Sequence, residues 1–314
     1  MGEKQHRAMA ATALVVAAFG WAVAPVFIRG LSHAYDPYSQ TVVRYGVSAV
    51  VLLVVSAAFY RADLVRVVRN PGPMLAISAL NVIQQTAWVN ACYRVTATLA
   101  LLLLKLSIVF VIAFSYLLFH EERSVIRSRG YQVGTVLSLV GVALILCTDP
   151  GTLAPRLDAG TGLALSVSVF WAIYTVWCKH LVHDVHPVPM FTVLAGYTTL
   201  GFIALAFAFG DPHTVVTAGL RTTVIAALSG VIAIAIAHTT FHYAQKHLGS
   251  AFCTSLLLLN PLFTNAVALY LWQDEALRPM QWCGAAALIT GAMLVVRMGT
   301  RAQHGLGEKR SWTP

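Results

Sequence analysis

The sequence predicts an all-α membrane protein of ten transmembrane helices, arranged as two inverted five-helix repeats around a central cavity. Three observations predict it. Of the 314 residues, 58% are hydrophobic and only 11% charged, where a soluble globular domain carries about 25% charged residues. The apolar residues collect in runs of about 20, long enough to cross a bilayer as helices. Finally, the second half repeats the first at an offset of 150 residues. Trp21-Ala22 followed by Arg29 returns as Trp171-Ala172 followed by Lys179, Tyr93 returns as Tyr243, and Gly134 and Gly141 return as Gly284 and Gly291.

The ten runs lie at roughly 8–31, 38–60, 74–92, 97–119, 130–148, 160–182, 189–209, 222–243, 250–272 and 281–298. The first follows a basic segment, Gly2–Arg7, as a signal peptide would. It is longer than a signal core and is the repeat mate of the sixth run, so it is expected to stay as a helix. Runs this continuous are helices rather than barrel strands, the other structure that satisfies its backbone in lipid. Each copy contains an odd number of runs, so the second must enter the bilayer from the opposite side. Inverted repeats of this kind build two-sided access around one central site in secondary transporters. The first repeat is assigned to residues 1–148 and the second to 160–298. The Pro- and Gly-bearing stretch between them reads as an external linker, 149–159, and the polar, basic residues 299–314 as a cytoplasmic disordered tail. The Gly-x6-Gly spacing of runs five and ten places both glycines on one helix face, a device for close helix packing in lipid.

The net charge of +9 orients the chain rather than recruiting nucleic acid. With the amino terminus inside, Lys4, Arg7, Arg61, Arg66, Arg69, Arg123, Arg127, Arg129, Lys179, Lys246, Arg297, Arg301, Lys309 and Arg310 fall on the cytoplasmic side. Only Arg29, Arg94, Arg156, Arg221 and Arg278 fall outside. This positive-inside bias predicts that both termini are cytoplasmic and suits a bacterial inner membrane. The five cysteines are scattered in or beside apolar runs, with neither a disulfide framework nor a zinc motif. No phosphate-binding Gly-x4-Gly-Lys-Ser/Thr loop is present. The short loops leave no room for a catalytic domain, so no enzyme, metal or cofactor is expected.

At this point the residues resemble a known family. The duplicated Trp-Ala stretch, the acidic breaks Glu121-Glu122 and Asp274-Glu275 and the Gly-x6-Gly spans that follow are similar to the drug/metabolite transporter superfamily, in particular its ten-helix EamA-type branch. Asn260-Pro261-Leu262-Phe263 resembles that branch's second-copy pattern, whereas Lys105-Leu106-Ser107-Ile108 stands where the first copy usually has a proline. The resemblance covers nearly the whole chain. It implies a helical basket with a central cavity and, in many members, export of small metabolites or amino acids.

Candidate site residues are polar or aromatic groups at depth. All twelve acidic residues lie in loops, helix ends or tails, so exchange of protons for lipophilic cations through a buried carboxylate is disfavoured. Lys105 lies about eight residues into the fourth run, ~12 Å along the helix. A lysine at a helix centre costs ~2.5–3.5 kcal/mol on insertion scales. It reads as an anchor for a carboxylate or phosphate, or as a titrating switch that leaves proton coupling open. The alternative is a lysine bound to backbone carbonyls or reaching toward the headgroups. Asn81, Gln84, Gln85 and Trp88 share one face of the third run; they line a cavity or tie helices together. Trp21, Trp171 and Tyr174 lie too deep for the interfacial belt and read as stacking surfaces or core. His238 and His242 are four residues apart with no third metal ligand in sight; His238, the deeper one, could relay protons. Asn260 precedes Pro261, where a missing N–H frees backbone carbonyls. Arg44, six residues inside the second run, is expected to reach the outer surface.

Together these predict a secondary transporter of a small polar or amphipathic metabolite, such as an amino acid or organic anion, working by alternating access. The partners are then that solute and membrane lipid; oligomeric state is not legible. The alternative is a channel-like or regulatory membrane protein with a polar pore and no coupled transport.

Overall fold

The computed structural model describes residues 3–118, 128–146, 157–182, 185–248, 253, 257–272 and 276–310. The acidic breaks Glu121-Glu122 and Asp274-Glu275 and most of the linker expected at 149–159 lie outside the described residues. The described chain is helical, without strands. In the first half the helices are α1 (Glu3–Leu31), α2 (Pro37–Phe59), α3 (Arg61–Arg69), α4 (Pro71–Cys92), α5 (Ala97–Leu104), α6 (Ser107–Leu118) and α7 (Arg129–Leu146). In the second half they are α8 (Ala159–Val182), α9 (Pro187–Phe209), α10 (Thr214–Thr217), α11 (Leu220–Gly230), α12 (Ala237–Leu248), α13 (Asn260–Leu271) and α14 (Pro279–Arg310). A π-helical turn, Val231–Ile236, joins α11 to α12. α14 continues to Arg310, past the point where the sequence places the start of a tail.

Seven of the described spans are long and apolar enough to cross a membrane, and Ala97–Val111 is a shorter apolar helix. Their surface confirms the setting. Val54, Phe59, Phe207, Phe209 and Tyr270 are exposed, while Ser39, Gln40, Ser48, Asn81, Gln84 and Thr198 are buried. Apolar residues outside and polar residues inside reverse the soluble pattern and describe an integral membrane protein.

The duplication is written into the helix boundaries. α2 begins at a proline N-capped by Asp36, whose Oδ1 accepts the N–H groups of Tyr38 and Ser39. α9 begins 150 residues later at Pro187, N-capped by His186, whose ring accepts the N–H of Val188. Proline at the first helical position and a side-chain acceptor before it are favourable helix starts.

Helix pairing obeys a two-fold exchange of the halves. α4 packs on α8 as α1 packs on α12, α6 on α8 as α1 on α13, and α4 on α9 as α11 on α2. The remaining large contacts join each helix to its own mate, α2 with α9 and α7 with α14. Both self-paired contacts are antiparallel. Along α2 and α9, Tyr45 stacks on Phe202 and, further on, Ser56 Oγ lies 2.6 Å from Thr192 Oγ1. Between α7 and α14, Gly134 faces Gly291 and Gly141 faces Gly284. A Cβ on Gly134 would stand 2.7 Å from Gly291 O, and one on Gly141 2.7 Å from Gly284 O. Repeat mates that meet antiparallel are the signature of an inverted repeat. The glycines allow the two backbones to touch, so their role is packing.

This contact predicts that Gly141→Ala, forced against the backbone N of Leu288 at 2.5 Å, lowers thermal stability by about 1–3 kcal/mol through overpacking. Gly162→Ala, with nothing within 4 Å of its Cβ, should be neutral or slightly stabilising. Melting of both variants in detergent checks the pair.

Candidate functional site

Two of the apolar runs are interrupted, and both interruptions border one cavity. In the fourth run α5 ends with Lys105 as its C-cap. There the bonds from Lys105 N to Leu102 O (3.0 Å) and from Leu106 N to Leu103 O (3.1 Å) tighten the turn to a three-residue spacing before α6 starts. In the ninth run α13 starts at Asn260, because Pro261 has no N–H to continue the ladder. A third irregularity, the π turn, lies in the eighth run beside Gly230, where the backbone of α2 at Arg44 approaches so closely that no Cβ would fit. π turns inside α-helices recur at functional sites.

These features surround a cavity of about 100 Å³ whose walls come from both halves. Sites for drug-sized ligands start at ~300 Å³, so this one suits a small solute. Of the sequence-predicted residues, Trp21, Gln84, Trp88, Lys105, Trp171, His238 and Asn260 line it. Two do not. Asn81 Nδ2 donates to Thr198 Oγ1 (3.0 Å) and Tyr45 OH (3.3 Å), tying α4 to α2 and α9. Tyr174 is fully buried in the core formed by α2, α4, α8 and α9, beside Trp171. Both belong to the scaffold around the site rather than to its wall. The expected polar face of the third run is therefore split, with Gln84, Gln85 and Trp88 on the cavity and Asn81 turned into a helix junction.

The aromatic wall sits where the repeats meet. Trp21 and its mate Trp171 touch edge to face, centroids 5.5 Å apart at 88°. His238, which is the mate of Trp88 at the 150-residue offset, lies 4.9 Å from Trp21 and is stacked on Phe191 at 4.5 Å and 15°. These spacings are those of favourable ring pairs. Two polar side chains in the wall are unsatisfied: neither Nδ2 nor Oδ1 of Asn260 has a hydrogen-bond partner, and neither has Nδ1 of His238. Buried polar groups are normally paired, and both of these residues line the cavity. Gln85 Nε2 donates to Gln84 Oε1 at 3.2 Å, which orients the neighbouring amides.

Arg44 corrects the sequence expectation. It does not reach the outer surface: it is 3% exposed and lines the cavity. Its Nε donates to Ser229 Oγ at 2.9 Å, and Ser229 donates in turn to Ala226 O. Depth along a helix did not reveal the face on which Arg44 lies. The signal that could have found it is the small pair Ser229-Gly230, which opens room for a guanidinium. Across the cavity Lys105 is 7% exposed. Among the described residues no acidic group lines the cavity and no hydrogen bond is made by the Lys105 ammonium or by the terminal nitrogens of Arg44. A larger crevice of about 500 Å³ lies between α1, α11 and α13, but its polar side chains, His33, Arg221 and Thr222, are all at least partly exposed, so none needs a ligand there.

The chain's relatives agree with this geometry. A family described as "EamA-like transporter family" matches twice, over residues 8–147 and 158–297. A solved structure titled "Crystal structure of protein" superposes with a TM-score of 0.66 at 16% identity, covering 93% of this chain and 98% of that one; the likeness is one of fold. No curated protein matches.

An unpaired cation in a dry bundle destabilises the fold it sits in. Lys105→Met should therefore leave the melting temperature of the ligand-free protein unchanged or raised. A clear fall would show that the ammonium makes contacts that hold the helices together.

Proposed function

The chain belongs to the EamA-like transporter family, and from that premise we propose that it is a secondary transporter of a small organic anion or zwitterion. Membership makes it a membrane transporter of small molecules, in a family of carriers rather than enzymes. The observation that carries the narrower reading is the cavity at the junction of the repeats, which Arg44 and Lys105 line with no acidic residue among the described ones. Cations at membrane depth face a cavity or a partner and mark substrate pathways. The tryptophans offer a surface to an apolar portion of the cargo, and Gln84, Asn260 and His238 offer hydrogen bonds.

The antiparallel mates support alternating access as the mode of transport. Residues 1–148 and 160–298, joined by 149–159, act as two units that rock about the shared site, opening it to one face and then the other. Ten spans account for the arrangement, with the fourth, eighth and ninth interrupted by α5/α6, the π turn and the start of α13. Contacts between loop ends support that count. Arg29 lies over the Trp272 ring at 5.6 Å, Thr214 Oγ1 donates to Asp36 Oδ2, and Tyr60 stacks on His186. Each joins ends that a ten-span path puts on one face. Both termini then lie in the cytoplasm of a bacterial inner membrane. Export is the direction that the resemblance implies, and the gradient sets it in practice. His238, beside the cations, is the group available for proton coupling.

Proteoliposomes loaded with organic anions should show saturable counterflow, and Lys105→Ala should abolish it for anionic cargo while the protein still folds. Counterflow of neutral solutes or cations alone, or large single-channel currents in place of saturation, would contradict the proposal.

A further inference from the structure

We infer that the cargo carries two negative charges, one taken by Arg44 and one by Lys105. This rests on the anion-carrier reading and narrows it. The two cations come from different elements, Arg44 from α2 and Lys105 from the break between α5 and α6, and both line the one cavity. Each is more than nine-tenths buried. Ser229 occupies only Nε of Arg44, which leaves the rest of the guanidinium fork free to grip a carboxylate or phosphate bidentately. Among the described residues the Lys105 ammonium has no hydrogen-bond or ion-pair partner.

Charge balance then decides the class. The other polar residues of the wall, Tyr45, Gln84, Gln85, Ser107, His238 and Asn260, offer hydrogen-bonding groups but no negative charge. A singly charged acid would leave one cation uncompensated in a low-dielectric site. A zwitterion would bring its own ammonium beside two cations and compensate neither. A dicarboxylate or a phosphate monoester, with about −1.5 to −2 charge at neutral pH, matches both. The apolar part of the wall, Leu101, Leu104 and Ile234, with the tryptophans, suits a short hydrocarbon spacer between the charges.

The test is a binding series on the detergent-purified full chain at constant ionic strength. Succinate, glutarate and glycerol phosphate carry two charges, butyrate carries one, and glutamine is the zwitterion. Binding is read by thermal shift, because a ligand of the native state stabilises it by mass action, and by quenching of the cavity tryptophans. At least one doubly charged probe should bind about tenfold or more tighter than butyrate, the effect of one additional charge-assisted contact. Arg44→Gln and Lys105→Gln should each bring that ratio close to one. Arg44→Lys should keep the preference with weaker binding, which separates a lost charge from a lost fold. Equal binding of butyrate and every dianion, or tighter binding of glutamine, overturns the two-charge inference and leaves the carrier reading intact. Binding of none of the anions overturns both.

Discussion

Two buried cations with no described acidic residue beside them, Arg44 and Lys105, are the constraint around which the helices of this molecule are arranged. Arg44 and Lys105 lie in a bundle whose acidic residues all sit outside its apolar runs. Such groups persist only where a cavity, a polar wall or a ligand offsets the loss of water. The helices around them are accordingly irregular. α5 stops at Lys105, the eighth run widens into a π turn against Arg44, and α13 starts at Asn260. All three irregularities border the cavity.

Symmetry explains why the faults converge. The scaffold is two copies of one unit, and the contacts between mates, α2 with α9 and α7 with α14, are antiparallel and built from small or aromatic residues. The glycine seam holds the periphery, while the two mated tryptophans, Trp21 and Trp171, meet at the junction. The site's chemistry lies where the copies differ. At the 150-residue offset Arg44 is matched by Leu194, Lys105 by Ser255 and Trp88 by His238. The first copy supplies the cations and the second supplies His238 and Asn260. Among the described residues both copies wall the cavity, and its cations come from the first.

Much of this was legible in the residues. The 150-residue offset and the Gly-x6-Gly pairs are one-dimensional signals that two-fold packing reproduces directly. Lys105 stood out because its insertion cost is a property of depth alone. Arg44 was misplaced because depth leaves open the helix face, and a long side chain near an outer end has two ways to turn. Asn81 shares a helical face with Gln84 and Gln85, yet it is bound to Tyr45 and Thr198, since a helical stripe is wider than a cavity of about 100 Å³. Tyr174 fell into the core for the same reason. The break at Lys105 has no proline to announce it, in contrast to Pro261; beside it Ser168 Oγ donates to Leu103 O.

The most direct measurement is the accessibility of position 105 from each side of the membrane. With the five native cysteines replaced, Lys105→Cys would be challenged with a membrane-impermeant thiol reagent in right-side-out and in inside-out vesicles. A central site with alternating access predicts labelling from both faces, slowed by bound organic anion. Labelling from neither face, with reaction only toward lipid-soluble reagents, would place Lys105 in the acyl chains and contradict the account.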